Sequence, residues 1–355
     1  MKLDIPIPPE AEERAHRVVM AAFAERRPAP RRRSYLRTAI TVAVVAALAG
    51  ILASPPGRSV IRSIREAVGV ENAQHELFSL PAPGRLLVGS AAGPWVVDQD
   101  GSKRRLGRYR EAAWSPFGRF VVARRGDELV TMEPNGSVHW TLARPGLRLP
   151  AWGGTRDDTR IAYLSGDLLH VVAGDGTGDA ARCADSVQAI APAWEPGSLS
   201  VVALSSGDRL AVYDVTNCRQ LFRGGPSPKK LQWSDDGKLL LAVSENGLEV
   251  YDRNGNVVAK SAGVDDAAFV GGTHEVAALR NGSAFLLGSS VLFHAHGLHQ
   301  IVSSPDGRWL LLTWPAADQW VFVGVEAPHA IRAVSGIERQ FGGGASPSVS
   351  GWIGK

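Results

Sequence analysis

His294, His296 and His299 form an H-x-H-x-x-H run. Imidazole is a common metal ligand, and alternation along a strand would put His294 and His296 on one face, where both approach one ion. A metal centre also needs a third ligand and partners that orient the rings, so a hairpin with incidental histidines is the competing reading. Cys183 and Cys218 are the only cysteines, each following a turn, in GDGTGDAARC and YDVTNC. In an exported domain such a pair is a candidate disulfide, and two buried, unpaired thiols are the alternative. No C-x-x-C is present, so zinc-binding or thioredoxin-like chemistry has no support. No other cofactor motif stands out.

Asp98, Asp100 and Gly101, and Asp252, Asn254 and Asn256, lack the EF-hand order and read instead as type I′ turns between strands. Ser304, Asp306, Gly307 and Trp309 are one residue short of a sialidase Asp box before the Gly and again before the Trp, which excludes that assignment. The G-x-S-x-G elbow, the phosphate loop and a dispersed acid pair are likewise missing. With no catalytic residue to name, the remaining candidates are aromatic. Trp95, Trp140, Trp309, Trp314, Trp320 and Trp352 either pack in a core or face a ligand at a central opening.

The elements that must hold these residues announce themselves by repetition. AAWSPFGRFVVA, PAWGGTRDDTRIAYL, PAWEPGSLSVVAL, LQWSDDGKLLLAV, AAFVGGTHEVAAL and IVSSPDGRWLLLT align on Trp114, Trp152, Trp194, Trp233, Phe269 and Ser303. Their separations are 38, 42, 39, 36 and 34 residues, and a further 38 reaches Phe341. Each unit runs from an aromatic through a tight turn into an apolar run and then a hairpin, which is the pattern of short antiparallel strands. Four strands per unit make a propeller blade, and a blade buries both faces only when neighbours stack on it. The expected architecture is an all-β, seven-bladed propeller over residues 84–355, with six or eight blades as alternatives. It closes through a blade built from both termini, since an open ring exposes a sheet edge.

The S-P-D-G, W-S-P-F-G and W-S-D-D-G turns resemble the repeats of Trp-Asp propellers and, more closely, those of the TolB-like periplasmic family. The resemblance covers residues 84–355 and implies an exported interaction platform, with no residue-specific activity carried over. The Trp-Asp dipeptide itself is absent.

Ahead of the propeller, TAITVAVVAALAGILA (38–53) carries no charge. Residues 38–54 are expected to form a single transmembrane helix, with a cleaved twin-arginine-type signal at R-R-S-Y-L-R as the alternative. Residues 1–38 hold nine Lys/Arg against five acids, which puts the amino terminus in the cytoplasm and the propeller outside. The layout also looks like that of actinobacterial membrane proteins. The rest of the chain balances 30 bases with 30 acids, giving no support for nucleic-acid binding. Within the basic segment 1–37, residues 9–27 form an amphipathic stripe, either a surface helix or a docking helix for a cytoplasmic regulator. Residues 55–83 read as a juxtamembrane helix and linker. The composition, with 39 Gly and 22 Pro, 45% apolar and 21% charged residues, excludes a long helical bundle and a disordered chain. The expected function is a membrane-anchored extracytoplasmic module that binds a protein, peptide or envelope polymer. An exported hydrolase or lyase acting on glycans or peptides is the alternative.

Overall fold

The computed structural model describes residues 73–354, except 75, 78, 184–186, 189 and 290. Segments 1–37 and 38–54, and most of 55–83, lie outside the described residues. Among the described residues no helix is long and apolar enough to cross a membrane.

Seven four-stranded antiparallel sheets form a ring. Blade 1 joins the last strand, Ser348–Ile353, to Arg85–Ser90, Gly93–Val97 and Lys103–Arg105. Blades 2 to 7 follow in order over residues 110–143, 147–182, 193–226, 228–262, 266–294 and 300–335. Strands are lettered a to d in each blade, following the hydrogen-bonded order. Every strand a touches strand a of the next blade, and the strand Ser348–Ile353 completes the circuit between blades 7 and 2. Strand a is therefore the innermost. The carboxyl terminus supplies one strand of blade 1 and the amino-terminal part of the propeller supplies three, so the ring has no open seam.

Burial follows from stacking. The middle strands are covered on both faces, so Leu240, Leu241 and Val243 are fully buried in succession and read as an unbroken apolar run. The outer strands Val138–Ala143 and Val257–Ala262 alternate between exposed and half-buried residues, as rim strands should.

The anchor residues end strand a, each facing the first residues of strand b: Trp114 opposite Val121, Trp152 opposite Ile161, Trp194 opposite Val202, Trp233 opposite Leu240, and Phe269 opposite Val276. Two indoles reach back one blade, Trp194 donating to the Ala151 carbonyl and Trp233 to that of Ala193, both at 3.1 Å. Ser303, opposite Leu310, makes the same link with a hydroxyl, which accepts from the Gly271 amide of blade 6 at 2.9 Å.

In blade 1 the structure corrects the expected anchor. Trp352, opposite Leu86, holds the position assigned to Phe341. The chain inserts a short helix, Ile337–Gln340, and a glycine-rich turn before the last strand, so the final step is longer than the repeat period. Phe341 instead packs between Trp95 and Trp320, with ring centres 5.8 and 5.1 Å away.

The inner edges of strand a have no fifth strand to pair with, and side chains from neighbouring blades take its place. Glu111 accepts from the Leu149 amide at 2.6 Å, and Gln232 from the Phe269 amide at 3.2 Å. Asp266 accepts from the Ile301 amide and from Lys230, both at 2.8 Å. Gln300 both donates to the Val349 carbonyl and accepts from its amide. These bonds satisfy backbone groups that would otherwise line the axis unpaired.

Residues ahead of the first propeller strand, Arg85–Ser90, also pack on the ring. Gln74 pairs with Ala333 and Ser335 on the rim of blade 7, the Leu77 amide donates to Gln340, and the Leu80 amide donates to the Gln99 carbonyl of blade 1. Leu77, Leu80 and Ala82 are buried beside Trp320 and Phe341, forming a strap across the seam between blades 7 and 1.

Cys183, after the outer strand of blade 3, is bonded to Cys218, in the turn before the outer strand of blade 4. The bond closes a loop across a sequence separation of 35 and ties two blades at the rim. Cross-linking a loop of that size stabilises a fold by about 2–4 kcal/mol, chiefly through the unfolded chain. Reduction is expected to lower the thermal midpoint by roughly 5–10 °C, measured by circular dichroism with and without reductant. The Cys183→Ser/Cys218→Ser variant should melt with the reduced protein.

A second inter-blade tie is polar. The Tyr251 hydroxyl accepts from the Gly225 amide at 2.8 Å and donates to Glu249, which also takes Lys260 at 2.7 Å. Burial, with the Glu249 carboxylate beside it, pushes the Tyr251 phenol up to about 12. Because the folded state holds this proton more tightly than the unfolded chain, the stabilisation is present below the ordinary tyrosine pKa of about 10 and is lost as pH rises towards 12. Denaturant midpoints across that window should fall less steeply in Tyr251→Phe than in the wild type.

Candidate binding surface

The ring has two faces, one formed by the a–b and c–d turns and the other by the b–c turns and the links between blades. The first face is built on the repeat's S-x-x-G signature. Ser115, Ser234 and Ser304 are buried, and their hydroxyls accept from the amides of Phe120, Leu239 and Trp309 at 2.9 to 3.0 Å. One serine thus locks the a–b turn and presents the two residues after it to solvent. In blades 1, 2, 3 and 5 the c–d turns are three-residue loops: at Asp252 the carboxylate accepts the Asn254 and Asn256 amides, and Gly255 takes φ +83°. Together with the Gly101–Asp98 and Gly136–Glu133 bonds, this is a type I turn with a following bulge in place of the expected type I′ turn. A carboxylate or amide side chain that caps the turn's own amides favours the longer loop. A type I′ arrangement does occur between strands b and c of blade 6, where Asn281 and Gly282 both have positive φ.

In blade 2 the first turn carries Pro116 and Phe117. Its backbone is held by the Gly118–Ser115 bond and by Arg85 of blade 1, which donates to the Gly118 carbonyl at 2.5 Å and lies 5.1 Å from the Trp114 ring centre. Phe117 is left 45% exposed, a large apolar side chain on a rigid turn.

Four concavities gather on this face across blades 1 to 3. One of about 550 Å³ lies between blades 1 and 2, lined by Arg85, Asp98, Phe117 and Glu133. Another of about 510 Å³ adjoins the chain end, between Phe117, Arg119, Arg156 and Ile353. A further hollow of about 520 Å³ sits at the blade 1 turn Asp98–Ser102. The largest, about 640 Å³, is a groove between blades 2 and 3, floored by Phe120, His139, Trp140 and Trp152. Phe120 stacks on Trp152 at 5.9 Å and meets His139 edge-on at 4.8 Å, while the Trp140 indole donates to the Gly174 carbonyl at 2.9 Å. Asp157, Asp158 and Asp175 line its other side. Hydrogen bonds from the Thr177 side chain and amide hold the Asp175 carboxyl below the usual range.

The sequence matches no family model and no curated protein. Among solved structures, the carboxyl-terminal WD40 domain of Sif2 superposes with a TM-score of 0.55 at 15% identity, over 75% of this chain and 89% of that one. KlHsv2, with its loop 6CD replaced by a Gly-Ser linker, gives 0.52 at 10% identity over 70% and 93%. A chain of the mitotic checkpoint complex gives 0.51 at 14% over 63% and 76%. The fold is a seven-bladed β-propeller, an architecture shared with a WD40 domain. At these identities the likeness is one of architecture, which is compatible with a protein-binding module.

The other sequence candidates lie away from the clustered concavities. Strand d of blade 6 ends at His294, so His296 falls in the following turn and the expected alternation of the two on one strand does not arise. His294 is bonded to Ser283 at 2.8 Å, while His296 and His299 are exposed. Among the described residues no group of three or more His, Cys, Asp or Glu is placed to hold a metal ion. Trp314 and Trp320 are core residues, whereas Trp140 and Trp152 line the groove. Trp152 serves both as a packed anchor and as part of the groove lining. The exposed Phe117 is visible in W-S-P-F-G-R-F as an aromatic on the turn, a departure from the other repeats, whereas Phe120 has an aromatic counterpart in Trp309.

Replacing Phe117 with Ser is expected to leave the thermal midpoint within about 2 °C of wild type, because the side chain is largely in solvent. Trp152→Ala, by contrast, removes a buried wedge and should cost about 3–5 kcal/mol in a urea titration.

Proposed function

We propose that the chain is a membrane-anchored, extracytoplasmic propeller whose face of a–b and c–d turns in blades 1 to 3 docks a protein or peptide partner. The observation that carries the docking reading is the gathering of four concavities on one face, two of them lined by the exposed Phe117 on a turn held by Ser115 and Arg85. Rigid scaffolds that carry function on their loops work in this way. The export reading draws on the uncharged stretch 38–54 with its basic flank, and a Cys183–Cys218 bond suits an oxidising compartment. In this reading residues 9–27 offer a cytoplasmic regulator a docking helix, which makes the protein a sensor. A hydrolase or lyase would want His294 and His296 near the axis, and the strand ending at His294 is the outermost of its blade.

Protease treatment of intact cells and inverted membranes, with a tag at each terminus, tests the topology. An amino-terminal tag protected in intact cells on a chain whose carboxyl-terminal tag is digested is expected; a released body beginning near residue 54 overturns the anchor. For the face, a photo-crosslinking amino acid at position 117 should give a discrete adduct in cells that the same group at the exposed rim residue Val258 does not. Identical adduct patterns at the two positions would rule the face out.

A further inference from the structure

The groove between blades 2 and 3 has a charge imbalance that its own residues do not resolve. Its rim carries Asp157, Asp158 and Asp175, and the only basic lining residue other than His139 is Arg160. Arg160 is already committed, since it is hydrogen-bonded to Asp158 and to the Thr159 carbonyl. Asp175 spends one oxygen on the amide and hydroxyl of Thr177, at 2.9 and 2.7 Å. Asp157 is exposed and makes no hydrogen bond or ion pair among the described residues. His139 is bonded to Glu133 at 3.3 Å. Opposite these carboxylates stand the rings of Phe120, Trp140 and Trp152. Arg119 lies 6.0 Å from the Phe120 ring centre, but it lines the neighbouring concavities, not the groove.

An aromatic floor facing unneutralised carboxylates fits one kind of side chain. It needs an apolar stem to cover the rings and a cation at its tip, which gains both from the ring quadrupoles and from the acids. Glutamate would be repelled, and leucine would leave the carboxylates without a partner. We propose that this groove receives an extended segment of a partner protein through a lysine or arginine side chain, whose stem lies along Phe120 and Trp152 and whose charge sits between Asp157 and Asp175. The proposal rests on the docking reading above and specifies the chemistry of its deepest subsite.

The test uses the purified full-length chain in detergent and fluorescein-labelled twelve-residue peptides of glycine and serine with two central lysines, arginines, glutamates or leucines. Anisotropy titrations should show the lysine and arginine peptides binding at least tenfold more tightly than the glutamate and leucine ones, with the preference shrinking at high salt. Asp157→Asn should weaken the basic peptides about fivefold, as expected for one exposed ion pair with a cation–π neighbour. That variant disturbs no bond of the fold, so an unchanged melting curve is its control. Phe120→Ala should weaken them further, and Phe117→Ala, outside the groove, should not.

Equal binding of all four peptides, or binding unaffected by Asp157→Asn, overturns the assignment. If the basic peptides bind but depend on Phe117 and not on Asp157, the groove proposal falls while the docking face stands. If no peptide binds, the groove proposal falls by itself, and the adduct at position 117 still decides the wider reading.

Discussion

A blade with two apolar faces has no stable existence alone, and the rest of the molecule answers to that constraint. Leu240 or Val122 leaves water only because the next sheet lies against it, so burial in any blade is conditional on both neighbours. The wedge at the end of strand a sets how closely two blades approach. It is met with indoles at Trp194 and Trp233 that donate back to the preceding blade, and with a hydroxyl at Ser303. Chemistry differs between these positions while the linkage is the same. Closure by Ser348–Ile353 makes the constraint circular, so that this strand completes the packing of the first blade.

Much of the ring was readable because the constraint recurs at a nearly fixed interval. Five aromatic anchors and the serine at 303 lay at recognisable spacings, each before a turn and an apolar run. The seventh failed where the interval failed: the helix Ile337–Gln340 lengthens the last connection, and a large apolar residue, Phe341, happens to sit where the period points. The side chains that seal the inner edge were not legible in the same way. Glu111, Gln232, Asp266 and Gln300 share their strands with other polar residues such as Arg110, Lys230 and Ser303, and their amide partners lie one blade away. Their signal was a polar residue recurring a few places before the anchor in successive repeats, weaker than an aromatic because its identity varies.

The candidate surface was less legible still. Its groove draws Phe120 and Trp152 from a–b turns and strand ends, His139 and Trp140 from an outer strand, and Asp175 from a c–d turn of the next blade. No local motif unites residues so far apart in the chain. The histidine run, compact in sequence, is dispersed by the end of its strand at His294. Proximity along the chain therefore misled for the histidines, and distance along it concealed the aromatics.

The strap formed by Gln74, Leu77 and Leu80 gives the amino-terminal side of the ring a mechanical role. Any pull exerted from upstream of residue 74 enters the molecule where the first and last blades meet. It is borne first by the backbone bonds of Gln74 to Ala333 and Ser335, and then by Leu77 and Leu80 in the seam. Gln74 meets Val334 of the rim strand in a single parallel bridge, so its two backbone bonds are loaded together before the ring feels the pull.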